Sequence, residues 1–141
     1  MRTTTAFPRV RLATLAGLLL GLGAFPALAQ TEQEQVFKRI EEAWQDSDSR
    51  GVADHFAERV YLKIGGVNGQ HSRDQARNKF AAYFDRIHVK RFKAEEIEGS
   101  SGTFVHEFED ANGDVQVRKV YIRLVHSEGA YRIDQLTQDG D

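Results

Sequence analysis

A chain of 141 residues, with 40% hydrophobic and 28% charged side chains, has the composition of one globular domain and is too short for two of ordinary size. It contains no cysteine, which excludes disulfides, thiol nucleophiles, thiolate metal sites and lipidated cysteines. Three arginines and no acids fall within residues 1–29, and the sixteen basic and twenty-one acidic side chains of residues 30–141 leave a net charge of −5, which gives nucleic acid or anionic lipid no electrostatic attraction.

Arg2, Arg9 and Arg11 form a basic start, Leu12 to Ala24 is an uncharged apolar run, and Ala27-Leu28-Ala29 is a small-x-small cleavage site before Gln30. The run is short for a bilayer span, and no second one follows. The pattern predicts a signal peptide over 1–29, one domain over 30–141, export to the periplasm or the medium, and no membrane contact after cleavage.

Val36, Phe37, Ile40, Ala43 and Trp44 recur at helical spacing opposite Lys38, Arg39, Glu41 and Glu42, so an amphipathic helix is expected to run to Gln45. Asp46-Ser47-Asp48-Ser49 breaks it. A shorter helix follows, with Asp48 or Ser49 as its N-cap and Val52, Ala53 and Phe56 as its buried side. Val60, Leu62 and Ile64 alternate with Tyr61 and Lys63 as a strand with one dry face, ended by Gly65-Gly66-Val67-Asn68-Gly69. Ser72-Arg73-Asp74-Gln75 has the form of a capping box, and Ala76, Phe80, Tyr83, Phe84 and Ile87 continue it as one helical stripe. Phe92 to Ile97 reads as a strand, turned by Gly99-Ser100-Ser101-Gly102 into the last third of the chain.

That last third holds three β-rich runs, Thr103 to Glu109, Val115 to His126 and Ala130 to Thr137. Asn112-Gly113 suits a two-residue type I′ turn, which would set Val105 opposite Val120, Glu107 opposite Arg118 and Phe104 opposite Tyr121. Glu128-Gly129 as a second two-residue turn would pair Leu124 with Ile133, Arg123 with Asp134 and Tyr121 with Leu136; a three-residue loop at Ser127-Glu128-Gly129 is the alternative. The first register puts Val105, Val120, Ile122, Leu124 and Ile133 on a core face. It puts Phe104, Phe108, Val117, Tyr121, Val125 and Leu136 on the other. The order helix, helix, strand, helix, then four antiparallel strands predicts an α+β fold: a cone-like curved antiparallel sheet covered on one face by N-terminal helices.

Ile40-Glu41-Glu42-Ala43 leading to Ala53-Asp54-His55-Phe56, the Ser72 to Ala76 helix start with Phe80 and Phe84, and the strands Arg118 to Ile122 and Tyr131 to Leu136 together carry a resemblance. The sequence resembles a nuclear-transport-factor-2-like domain, the cone-shaped fold also called SnoaL-like, and within it a small family of exported bacterial proteins of unknown function. The resemblance spans nearly all of residues 30–141 and rests on packing and turn signals. It implies a cone with a pocket at its open end, in a superfamily of isomerases, dehydratases, accessory subunits and binding modules.

The five histidines, His55, His71, His88, His106 and His126, lie at least sixteen residues apart, so no ligand pair exists at helix or strand spacing and no metal site is predicted. Glu107 and Arg118, facing each other on the core side near the turn, are candidate ligand-binding residues if the guanidinium holds a carboxylate or phosphate; the structural reading is a cross-strand ion pair of about 0.2–1 kcal/mol. Enzymes of the resembled fold usually place a Tyr, His or Asp dyad inside the cone. Tyr61, Tyr83, Trp44 and His106 are available here, but no spacing ties two of them together, and only Tyr61 joins the candidate ligand set; no catalytic residue and no cofactor is predicted. His88, Lys90, Arg91 and Lys93 read as a charged edge strand. Phe104, Phe108, Tyr121 and Leu136 on the outer face are the candidate homodimer or partner interface. Together these predict an exported small module binding a small ligand or a protein partner. The alternative is a small cone-type isomerase, dehydratase or hydrolase acting on an apolar ligand. If the signal peptide is cleaved as the sequence indicates, N-terminal sequencing of the exported protein will begin at Gln30; an intact Met1 on that form would contradict it.

Overall fold

Helix formation begins with Val36, Phe37, Ile40 and Trp44, all buried on one side of α1, Glu32–Gln45. The structure, a computed structural model, describes residues 29–140, and the fold is that of the unit beginning at Glu32. The signal peptide predicted over 1–29 lies, Ala29 apart, outside the described residues. α1 starts one turn before Val36, with Glu32 and Glu34 in its first turn, where carboxylates favour the helix dipole. Asp48 caps α2, Ser49–Ala53, by accepting from Gly51 N at 2.9 Å. Phe56 already belongs to the next element, β1, Phe56–Ile64.

The glycines after Ile64 do more than end that strand. They turn it into β2, Val67–Ser72, an antiparallel partner with Ile64 opposite Val67 and Arg59 opposite Ser72. Ser72 then caps α3, Arg73–Phe84, with both hydrogen bonds of the capping box present. Arg73 ties this helix start to its surroundings, donating from Nε to the Phe56 carbonyl at 3.0 Å and pairing with Glu128. Four strands follow: β3, His88–Glu98; β4, Ser101–Glu109; β5, Val115–Ser127; and β6, Ala130–Gln138.

The six strands form one curved, open sheet in the order β2-β1-β6-β5-β4-β3. Neighbouring strands are antiparallel except β1 and β6, which run parallel. β3 is an edge, as its basic residues suggest, and α1 covers its open backbone. Gln45 accepts from Phe92 N at 2.8 Å and donates to the Lys90 carbonyl at 3.3 Å, while Glu41 accepts from Ala94 N at 2.6 Å. Two side chains one helical turn apart thus replace a missing strand, leaving fewer unpaired groups for another chain to join.

The two hairpins at the end of the chain turn differently from expectation. Asp110 N donates to the Asp114 carbonyl and Gly113 N to the Asp110 carbonyl, so Ala111-Asn112-Gly113 is a three-residue loop with Gly113 at φ 85. The Asp110 carboxylate accepts from Asn112 N and Asp114 N and fixes this geometry in place of the two-residue turn. The β4–β5 register therefore moves by one residue: Phe104 faces Val120, Val105 faces Lys119, His106 faces Arg118 and Glu107 faces Val117. A one-residue slip exchanges the faces of a strand, so Gly102, Phe104, His106 and Phe108 are buried while Val105 and Glu107 lie on the outer side. Glu128-Gly129 does form the two-residue turn, with both residues at positive φ and Ser127 opposite Ala130. Leu124 opposes Ile133 as expected, but a bulge then makes Asp134 an extra residue, so Arg123 faces Gln135, Ile122 faces Leu136 and Tyr121 faces Thr137. The bulge leaves Ile133 and Leu136 both buried, and Asp134 still meets Arg123 through two hydrogen bonds of 2.9 and 3.0 Å.

The proposed outer interface is corrected by these shifts. Phe104, Phe108 and Leu136 belong to the core, and of the four expected residues only Tyr121 is exposed, beside Val115, Val117 and Val125. On the concave side the space between sheet and helices is filled by rings. Trp44 stacks on Phe92 at 4.1 Å and meets Phe80, Phe84 and His106 edge-on at 5.2–5.4 Å; Phe92 in turn stacks on Phe104 at 4.8 Å. Because Trp44 joins both helices to the far strands, Trp44→Ala is expected to cost about 3–5 kcal/mol in denaturant unfolding followed by circular dichroism, and Trp44→Phe clearly less. Equal, small losses for both would show that the ring cluster is not the centre of the core.

Candidate functional site

The concave side does not close at the end of the sheet where the β4–β5 loop sits. There Tyr83 from the last turn of α3, Arg86 and Ile87 just beyond it, Phe108, the loop residues Asp110 to Asn112, and Gln116 and Arg118 of β5 line a cleft of about 260 Å³. Tyr83, Ile87 and Phe108 form its apolar wall, and Tyr83 and Phe108 meet edge to face at 6.3 Å. Arg86 lies 5.7 Å over the Tyr83 ring and donates to the Gly65 carbonyl at 2.9 Å.

Behind this wall runs a buried polar chain. His106 and Gln138 are fully buried, yet the His106 Nδ1 lies 2.9 Å from Gln138 Oε1, and Gln138 Nε2 donates to the Tyr83 hydroxyl at 3.1 Å. A histidine and a tyrosine that no sequence spacing connects are therefore joined through a glutamine from the last residue of β6. The signal for it was slight: a polar residue in the inward register of a strand, visible only after the bulge at Asp134 is known. Phe108 stacks on His106 at 4.4 Å and separates the imidazole from the cleft.

The charged lining is uneven. Asp110 is its one acid, and that carboxylate is engaged with Asn112 N at 2.9 Å, Asp114 N at 3.0 Å and Gln116 Nε2 at 3.0 Å. The Gln116 bond, followed by the Asp114 backbone bond, holds the Asp110 carboxyl below its ordinary value. Arg118 points to the same side as His106, and its Nη1 donates to the neighbouring Val117 carbonyl at 3.3 Å.

Of the three residues expected to hold a ligand, the structure brings only Arg118 to the cleft. Glu107 lies on the opposite face of β4 and is not across from Arg118, for the register reason given above. Tyr61 lies on the outer side of β1, between the buried Val60 and Leu62, and its hydroxyl donates to Asn68 Oδ1 at 2.7 Å. Among the described residues, no group of three histidines and acids is placed to hold a metal ion, and no helix is long and apolar enough to cross a membrane.

A family model described as "Domain of unknown function (DUF4783)" matches residues 37–139. Two solved structures of DUF4783 family proteins are similar in fold. The one from Bacteroides fragilis YCH46 is 20% identical, with 71% of this chain and 93% of that chain covered at a TM-score of 0.58. The one from Bacteroides ovatus ATCC 8483 is 17% identical, with 71% and 90% covered at 0.57. A SnoaL-like protein from Mesorhizobium loti is 16% identical over 74% of this chain and 96% of that one, at 0.53. No curated protein matches the sequence significantly. The fold is thus the nuclear-transport-factor-2-like cone, as the sequence features implied.

The cleft's floor depends on the Asp110 loop, and acid tests that dependence. A carboxyl whose folded pKa is depressed contributes stability that is present above its unfolded value and lost as pH falls through the folded one. Asp110→Asn is therefore expected to lower the urea midpoint near neutral pH, and the difference from the unsubstituted protein is expected to shrink as pH falls through the depressed folded value. A gap between the two that stays constant across that range would mean the charge plays no part in holding the loop.

Proposed function

Since the chain belongs to the DUF4783 family, whose description assigns no activity, we propose that it is an exported module that binds a small ligand in the cleft at the open end of its cone. One observation carries this reading: rings fill the deep interior, and a cleft is left at the mouth, where an apolar wall of Tyr83, Ile87 and Phe108 meets Arg86, Gln116 and Arg118. An apolar surface with a few convergent polar groups is the usual make-up of a ligand site. Its volume of about 260 Å³ lies just under the range of roughly 300–1,000 Å³ typical of sites for drug-sized molecules, so the occupant is small. Export rests on the N-terminal pattern of basic start, apolar run and cleavage site.

The enzyme reading, a small isomerase, dehydratase or hydrolase acting on an apolar ligand, draws on the buried chain from His106 through Gln138 to Tyr83, which would hold the tyrosine hydroxyl at the cleft wall. The two readings separate on the fate of the ligand: a module returns it unchanged, and mass spectrometry after incubation reads that directly.

A screen of small fragments by amide chemical-shift mapping is expected to perturb Tyr83, Ile87, Phe108 and Gln116. Ile87→Trp, which fills the cleft from a half-buried position, should abolish those shifts without lowering the melting temperature. Hits that map elsewhere, or that survive this substitution, would remove the cleft as the binding site.

A further inference from the structure

We propose that the ligand of this cleft is an organic carboxylate, with its anionic end on Arg118 and its body against Tyr83, Ile87 and Phe108; this rests on the ligand-binding reading above. The argument starts from charge. Two guanidinium groups line the cleft, and the single acid there, Asp110, already accepts three hydrogen bonds from its own loop and from Gln116. An anion entering the cleft meets a positive surface whose one negative group is turned to another task.

Arg118 stands apart from the other arginines. Arg73, Arg77, Arg123 and Arg132 each have a carboxylate within 4.0 Å. Among the described residues Arg118 has none, and its Nε is buried without a hydrogen-bond partner. Arg39, Arg50, Arg59, Arg86 and Arg91 also have no acid partner there, but each is exposed to solvent, whereas Arg118 is half-buried. A partly desolvated cation without a counter-ion costs free energy that a carboxylate would recover, and the planar fork of arginine suits two parallel hydrogen bonds to it.

The guanidinium is also held in place. Gly140, at φ +76, packs against it so closely that a Cβ there would lie 2.7 Å from Arg118 Nε and 3.0 Å from its Cδ. That contact occupies the Nε side of the group and leaves the terminal nitrogens as the part that can meet a ligand. Gly140 is a positioning residue in this arrangement.

Benzoate and benzamide separate the possibilities, since they share a ring and a shape and differ in charge at neutral pH. Titrated into the purified full chain at up to millimolar concentration, with shifts read at Phe108, Gln116 and the Arg118 side chain, benzoate is expected to bind at least tenfold more tightly than benzamide. Its affinity should weaken as salt is added. Arg118→Gln should remove at least tenfold of the benzoate affinity and leave that for benzamide unchanged, with Arg118→Lys between the two. Gly140→Ala, which displaces the guanidinium without removing it, should weaken benzoate alone. If Arg118→Gln fails to fold, the benzoate-to-benzamide ratio and Gly140→Ala carry the test. Equal binding of both probes at the cleft would overturn the carboxylate assignment and leave the ligand-binding reading standing. Failure of both probes to shift any cleft residue would overturn both readings.

Discussion

The three-residue loop at the end of β4 is the constraint on which the inner surface of this protein depends. Alternation along a strand assigns every second side chain to one face, so whichever residue leads out of the turn decides the destination of the next eight. The Asp110 carboxylate makes that decision by accepting from Asn112 N and Asp114 N. Phe104 and Phe108 then enter the core, His106 lands beside Gln138, and Arg118 arrives on the concave side opposite His106. With one residue fewer in the loop the same strand would have turned Val105 and Glu107 inward, burying an acid and exposing two phenylalanines. The hydrophobic cost of that alternative is several kcal/mol at roughly 1.5–3 kcal/mol for each buried aromatic, so the core and the loop favour the same register.

Which parts of this were legible in the sequence follows from the range of the forces involved. The stripe from Ala76 to Phe84 and the capping box at Ser72 are local, and the helix appears where they indicate. The strand after Gly66 was missed because β2 is an edge with a mostly polar, half-exposed face, so it carries no apolar alternation to read. The Asn-Gly pair pointed to a two-residue turn, yet an aspartate two positions before the asparagine is itself a turn former, and its side-chain bonds outweighed the intrinsic preference. At Glu128-Gly129 the expected turn formed although Glu128, a residue without special tolerance for positive φ, occupies it. There the Arg73 and Arg132 guanidinium groups on the Glu128 carboxylate supply the compensating interactions.

The cleft was less legible than the fold, because its members come together across the sheet. Arg118 could be singled out from the sequence by its place near the turn, and it does line the cleft. Its expected partner Glu107 could not be placed without the register, and Tyr61 could not be separated from Tyr83 by composition. Tyr83 belongs to a helical stripe, and its ring is buried; what the stripe does not reveal is that the hydroxyl reaches Gln138, fifty-five positions away. Polar contacts over such separations leave no period in a sequence.

The distribution of polar groups gives the fold a gradient from its filled end to its open one. Around Trp44 the rings contact one another with His106 as the only titratable member among those packed against the indole, and a core of that kind favours rigidity. Toward the mouth the buried polar chain, then the edge of Phe108, then two guanidinium groups succeed each other. Stability alone would favour placing an acid across from Arg118, since half-buried cations without partners are costly and the outer face shows that this chain can form such pairs, as at Arg123 and Asp134. The position across the strand from Arg118 is instead the buried imidazole of His106, itself engaged with Gln138, so the protein forgoes an internal counter-ion at the half-buried arginine of the cleft. A charge left in that state is better suited to an anion from outside than to any group the described residues offer.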